Sequence, residues 1–264
     1  LLMCLILASL VLLAQICEAS DFDAKELEGE ISKAQYLYYF EGNTKEATSI
    51  LEGLLTKYKP KKYDLLVVRH TLMSVYAKTE NLIELGRSLK ELNLIIKESG
   101  NYFVAVMIHD YYLARLLSKT GKIDEAIVVL KNLLKFNKYP TEYAWELDLH
   151  SRMFLGILYS WQGDYLNAEK YIKRAIIAAV SINTLTPSFS ISLLMEYCDY
   201  LTNSGRAGQA LRIIKKVAPG VKKEFANSLD KVNWDLVSAY AYLENGKPIS
   251  TQRKIAEINS YITP

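Results

Sequence analysis

From Ser20 onward the apolar residues recur every three to four positions, and strand-like alternation is scarce. Even the Val-rich run LLVVRHTLMSVYA (Leu65–Ala77) keeps that period, which lines its apolar side chains along one stripe of a helix. Turn residues interrupt the pattern at regular intervals. Four interruptions share one frame, Gly, four residues, Ala: GNTKEA (Gly42–Ala47), GKIDEA (Gly121–Ala126), GDYLNA (Gly163–Ala168) and GRAGQA (Gly205–Ala210). Two weaker copies fit the same frame, ENLIEL (Glu80–Leu85) and GKPIST (Gly246–Thr251). The last residues of the six units are 38, 41, 42, 42 and 41 positions apart, an internal repeat with a period near 41.

Each piece of the frame has a physical role. The Gly ends one helix in a left-handed conformation, which a residue without a Cβ adopts freely. The Ala five positions on lies early in the next helix, where two helices of a hairpin come closest. Before the turn, Leu155, Gly156 and Tyr159 form a stripe facing the second helix; after it, Ile172 and Ala175 continue the buried stripe. Pro60, Pro140 and Pro187 mark boundaries between units, with Thr141 and Thr186 as N-caps and Pro187 as a first helical residue. The pattern predicts twelve helices in six antiparallel hairpins, forming one continuous domain over residues 20–264. Charged and amide residues at both ends suit terminal caps of such a stack.

The segment Leu155–Ala175 resembles the tetratricopeptide repeat (TPR) family. The family pattern W-x2-L-G-x2-Y followed by A-x3-F falls on Arg152, Leu155, Gly156, Tyr159, Ala168 and Ile172, with Arg152 in the place of Trp and Ile172 in that of Phe. Tyr38 and Tyr76 hold the Tyr position in other units; Leu117 and Leu201 replace it. The resemblance implies an all-α, right-handed superhelical solenoid of about six TPR-like hairpins. The period departs from the family's repeat of about 34 residues, which predicts helices roughly a turn longer.

Residues 1–19 differ in kind. Leu1–Leu13 carries no charge, the apolar run fades at Gln15, and Cys17-Glu18-Ala19 presents small residues where a signal peptidase reads. The segment reads as a signal peptide cleaved after Ala19, with a lipid anchor at Cys17 or an uncleaved membrane anchor as alternatives. This predicts a periplasmic or secreted protein of a bacterial envelope, touching membrane only through that segment if it is retained or lipidated.

Composition narrows the chemistry. Half of the 264 residues are hydrophobic, ample for a core. A net charge of +3, from 32 basic and 29 acidic residues, argues against nucleic acid as a partner. Beyond residue 19 the chain has one cysteine, Cys198, so no internal disulfide framework forms. His70, His109 and His150 are spaced by 39 and 41 residues, at similar heights on successive first helices. Packed helices stand about 8–10 Å apart, too far for side chains on three of them to share the ~2 Å bonds of zinc. No metal site, cofactor site or catalytic motif is therefore expected, and the chain reads as a non-enzyme.

In TPR proteins the first helix of each hairpin lines the concave face, where partners bind. Counting back from each turn, the resemblance places Tyr36 and Tyr39 of the first repeat and His70 and Lys78 of the second on that face. The third repeat adds Tyr111, Arg115 and Lys119, and the fourth His150, Met153 and Trp161. Met195, Asp199 and Asn203 follow from the fifth. The family's carboxylate clamp is not preserved, since Ser32, Tyr36 and Ser74 stand near its Lys and Asn positions; Lys78, Arg115 and Lys119 still make a positive patch. Aromatic, Met and Arg side chains suit a protein or peptide partner. The alternative partner is a glycan or peptidoglycan strand stacking on the aromatic groove.

Overall fold

The backbone is left-handed at the six places where the repeat frame asks for it. Positive φ occurs at Gly42 (65°), Glu80 (57°), Gly121 (80°), Gly163 (77°), Gly205 (74°) and Gly246 (68°). In five of these turns the next residue donates its N–H to the carbonyl five positions back, as from Asp164 to Tyr159 (2.9 Å) and from Asn81 to Tyr76 (2.9 Å). This is the Schellman arrangement, which satisfies the carbonyls left open at a helix end. The turn residue's neighbour then starts the following helix. Asn43, Asn81 and Asp164 accept the N–H of the residue three positions on, and Asn43 also donates to the Glu46 carboxylate, a reciprocal cap.

The structure, a computed structural model, describes residues 24–39, 41–58, 65–98, 103–135, 142–181, 187–224 and 229–262. The proposed signal segment and the boundary residues Pro60, Pro140, Thr141 and Thr186 lie outside them; Pro187 is the first residue of its helix. Among the described residues there are twelve helices and no strand. These are α1 (Ala24–Tyr39), α2 (Thr44–Lys57), α3 (Leu66–Lys78), α4 (Leu82–Glu98), α5 (Phe103–Lys119) and α6 (Ile123–Leu133), then α7 (Glu142–Trp161), α8 (Tyr165–Ser181), α9 (Pro187–Asn203), α10 (Ala207–Glu224), α11 (Leu229–Glu244) and α12 (Pro248–Ile262). No described helix is long and apolar enough to cross a membrane.

The chain divides into two compact units, one ending at Arg152 and the other beginning at Met153, within α7. In the N-terminal unit α1/α2, α3/α4 and α5/α6 are hairpins. Each second helix also packs on the next first helix, α2 on α3 and α4 on α5, while α1, α3 and α5 pack side by side. The C-terminal unit repeats the scheme with α9/α10 and α11/α12: α8 packs on α9, α10 on α11, and α9 beside α11. Hairpins thus bury their apolar stripes against neighbours, as repeat folds require.

The small position of the frame sits at the closest approach. Ala47, Leu85, Ala126, Ala168 and Ala210 are fully buried and Thr251 nearly so. In the fourth hairpin a Cβ on Gly156 would lie 2.5 Å from Ile172 Cγ1 and 3.0 Å from the Ala168 carbonyl oxygen. The position corresponding to the family's Trp holds charge in four of the six units, at Arg69, Asp110, Arg152 and Asp235. Arg69 of α3 reaches Glu91 of α4 (2.9 Å), and the fully buried Asp235 of α11 accepts from Lys254 of α12 (2.9 Å). These two pairs tie first helix to second with opposite polarity. Arg152, at the same position, makes a two-pronged pair with the buried Asp148 one turn earlier (2.7 and 2.9 Å).

Candidate functional site

In the N-terminal unit the first helices bring the predicted residues into one cluster. The His70 ring on α3 lies 5.5 Å from Tyr112 on α5. Tyr112 meets Tyr111 edge-on at 5.1 Å, and Tyr111 lies 6.3 Å from the His150 ring on α7. Four rings thus run without a break across three helices. Adjacent residues on a helix point about 100° apart, so counting along α5 selects Tyr111 and passes over Tyr112; the bridging ring was not legible as a site residue. Tyr111, expected on the groove, is only 8% exposed and sits in the packing between the helices.

Cations border this aromatic chain. Arg115, one turn after Tyr111, donates from Nη1 to the Tyr111 hydroxyl (3.1 Å) and sets its guanidinium 5.8 Å from the ring centroid. Lys78, the last residue of α3, holds its ammonium 5.1 Å over Tyr38 of α1. Tyr38 in turn donates its hydroxyl to the Ser74 carbonyl (3.4 Å). Both contacts are cation–π in kind. Burial, then the charges of Arg115 and Lys78, pushes His150 down to about 4. Burial, then His150 itself, pushes His70 down to about 3. Both imidazoles are therefore neutral at pH 7.

The remaining predicted residues divide. Tyr36 is 47% exposed on α1; the side chain of Tyr39 lies outside the described residues. Lys119 pairs with Glu80, the turn residue of the preceding hairpin, and holds its carboxyl below the usual range. It thereby braces a turn. His109 contacts its neighbour Asp110 (3.0 Å) and takes no part in the ring chain. Among the described residues no three His, Cys, Asp or Glu side chains gather as metal ligands.

In the C-terminal unit Trp161 ends α7 and is 60% exposed, beside the exposed Tyr165 and Leu166 across the turn. Asn203 of α9 accepts from the Tyr240 hydroxyl of α11 (3.0 Å), and Asp199 stands one turn before it. Met153 and Met195, expected on the groove, are buried in the core instead: each falls on the stripe facing the neighbouring helices. Cys198 is buried, which pushes its thiol up to about 12, out of reach of nucleophilic chemistry.

The arrangement resembles known repeat structures. Over 89% of this chain and 90% of the other, it matches BtubC (BKLC) from P. vanneervenii with a TM-score of 0.59 and 12% identity. The kinesin light chain TPR-like repeats from Podosopora anserina match 73% of this chain over 92% of their own, with a TM-score of 0.54 and 16% identity. No protein-family model and no curated protein matches the sequence. The chain has a TPR-like repeat fold.

Proposed function

We propose that this chain is a non-catalytic interaction scaffold, exported to the bacterial envelope, whose N-terminal unit captures a segment of another protein during assembly or secretion. What supports the capture site is the run of rings from His70 of α3 through Tyr112 and Tyr111 of α5 to His150 of α7, with Lys78 and Arg115 close by. The likeness to TPR-like repeats supports a scaffold role. The apolar run and small residues of positions 1–19 support export.

The chemistry at the site supports a protein segment as partner. Aromatic faces suit an apolar anchor, and the two cations suit carboxylates on either side of it. Binding-site anchors dominate affinity, whereas exposed charges chiefly steer association and fade with salt.

End-blocked dodecapeptides with a central Leu-Phe anchor flanked by Glu, Gln or Lys test this when titrated with the full chain by fluorescence anisotropy. The Glu-flanked peptide should bind at least about tenfold tighter than the Lys-flanked one, a difference of about 1.4 kcal/mol. Arg115→Glu should abolish or invert that preference while circular dichroism shows the helices intact. Equal binding of all three peptides, or none, would contradict the reading.

A further inference from the structure

The second helices of the two compact units differ in charge at matching positions of the repeat. Counted from the turn residue, the seventh, tenth and eleventh positions are Lys170, Lys173 and Arg174 on α8 and Arg212, Lys215 and Lys216 on α10. All six are exposed, as is Arg253 at the seventh position of α12. In the N-terminal unit the same positions are mixed: Ser49, Glu52 and Gly53 on α2, Arg87, Lys90 and Glu91 on α4, and Val128, Lys131 and Asn132 on α6. We propose that the exposed faces of α8 and α10 dock the C-terminal unit on an anionic phospholipid surface, through residues other than those of the capture site or of positions 1–19.

The spacing puts these residues on one face. At about 100° per residue, the third, seventh, tenth, eleventh and fourteenth positions fall within a stripe about 100° wide. On α8 the ends of that stripe are Leu166, 83% exposed, and Ile177, 65% exposed, with the three cations between them. Ile249, 74% exposed, takes the third position on α12. Ala168, Ile172 and Ala175, buried against neighbouring helices, lie on the opposite side of α8. Both α8 and α10 pack on α9, and Arg206, just ahead of α10, reaches Glu169 of α8 (3.1 Å). Carboxylates are few on these helices. α8 holds one, Glu169, shared between Lys173 (2.6 Å) and Arg206, and α10 holds one, its last residue Glu224. On α12 the eleventh position is Glu257, paired with Lys254 (2.6 Å).

Cations and aliphatic side chains on one face match the two layers of a charged bilayer. Lys and Arg meet the phosphate layer with their stems along the surface, while Leu166 and Ile177 enter the acyl boundary. A nucleic acid would satisfy the cations but gives aliphatic side chains little to bury in, since its bases stack on aromatic rings. The cations also recur as a field over two helices, which suits a laterally uniform surface.

The test is lipid photocrosslinking in the full chain, which reports the surface that meets the bilayer even where residues 1–19 also attach. A benzophenone side chain replaces Ile177 on α8 or, as its N-terminal counterpart, Val128 on α6, which is 57% exposed. Each chain is irradiated with phosphatidylcholine vesicles and with vesicles that also contain about one third phosphatidylglycerol. Position 177 should crosslink to lipid at least about tenfold more in the anionic vesicles, an excess that added salt reduces, and position 128 should show no such excess. Lys170→Glu/Arg174→Glu/Lys216→Glu should remove the excess. The milder Arg212→Gln/Lys215→Gln should reduce it, with helix content of both variants checked by circular dichroism. Equal crosslinking from position 177 in the two kinds of vesicle, or an excess that survives both variants, would overturn the proposal. Retention of the chain by duplex DNA or polyglutamate through the same cations, with no lipid crosslink from position 177, would assign the surface to another partner and overturn it too.

Discussion

A Cβ added to Gly156 would meet Ile172 Cγ1 at 2.5 Å and the Ala168 carbonyl oxygen at 3.0 Å, so the residue is fixed by contact across the hairpin. Ala favours a helix over Gly by about 1 kcal/mol, but overpacking a closed interface costs about 1–3 kcal/mol. Gly156→Ala should therefore lower stability despite its better helix propensity. A melt at or above that of the parent would mean α7 and α8 do not touch there. This residue was legible in the sequence, through its place in the repeat frame. Tyr112 and the buried methionines were not: which of two adjacent side chains faces a groove depends on the rotation of the helix, and no residue count supplies that. The pairing of Asp235 with Lys254 was likewise hidden, since it joins positions 19 apart on two helices.

At the scale of the helix and its turn, the sequence revealed most of the architecture. All six turns were legible because a left-handed residue, a short cap and a small buried residue recur at one spacing. Even the copy without Gly, at Glu80, adopts a φ of 57°. Glu80 and Gly163 hold the same position with different chemistry, and this predicts different mutational outcomes. Gly163→Ala places a Cβ in the left-handed region and should cost about 1–2 kcal/mol. Glu80→Ala exchanges one L-residue for another there and loses only a solvent-screened pair with Lys119, so it should cost much less. Urea melts of the two variants check the ranking. A loss at Glu80 equal to that at Gly163 would show that the ion pair, rather than the backbone, sets the turn. The family's Trp position shows the limit of the frame: its charged occupants in this chain gain meaning only once Glu91 and Lys254 are seen opposite them.

For the molecule as a whole, the repeat frame runs through both compact units. Of the predicted groove residues, His70, Lys78, Tyr111, Arg115 and His150 gather in the N-terminal unit, whereas Trp161, Asp199 and Asn203 belong to the C-terminal unit. The account therefore rests on the N-terminal first helices as the capture surface. Site-specific photocrosslinking tests this most directly. A benzophenone side chain is installed in place of Tyr36 or Lys78, both exposed on first helices, or in place of Leu94, exposed on the second helix α4. Each protein is irradiated with the Glu-flanked peptide. The account predicts crosslinks from positions 36 and 78 that unlabelled peptide competes away, and none from position 94. Crosslinking from position 94 alone would place the partner on the second helices and contradict it.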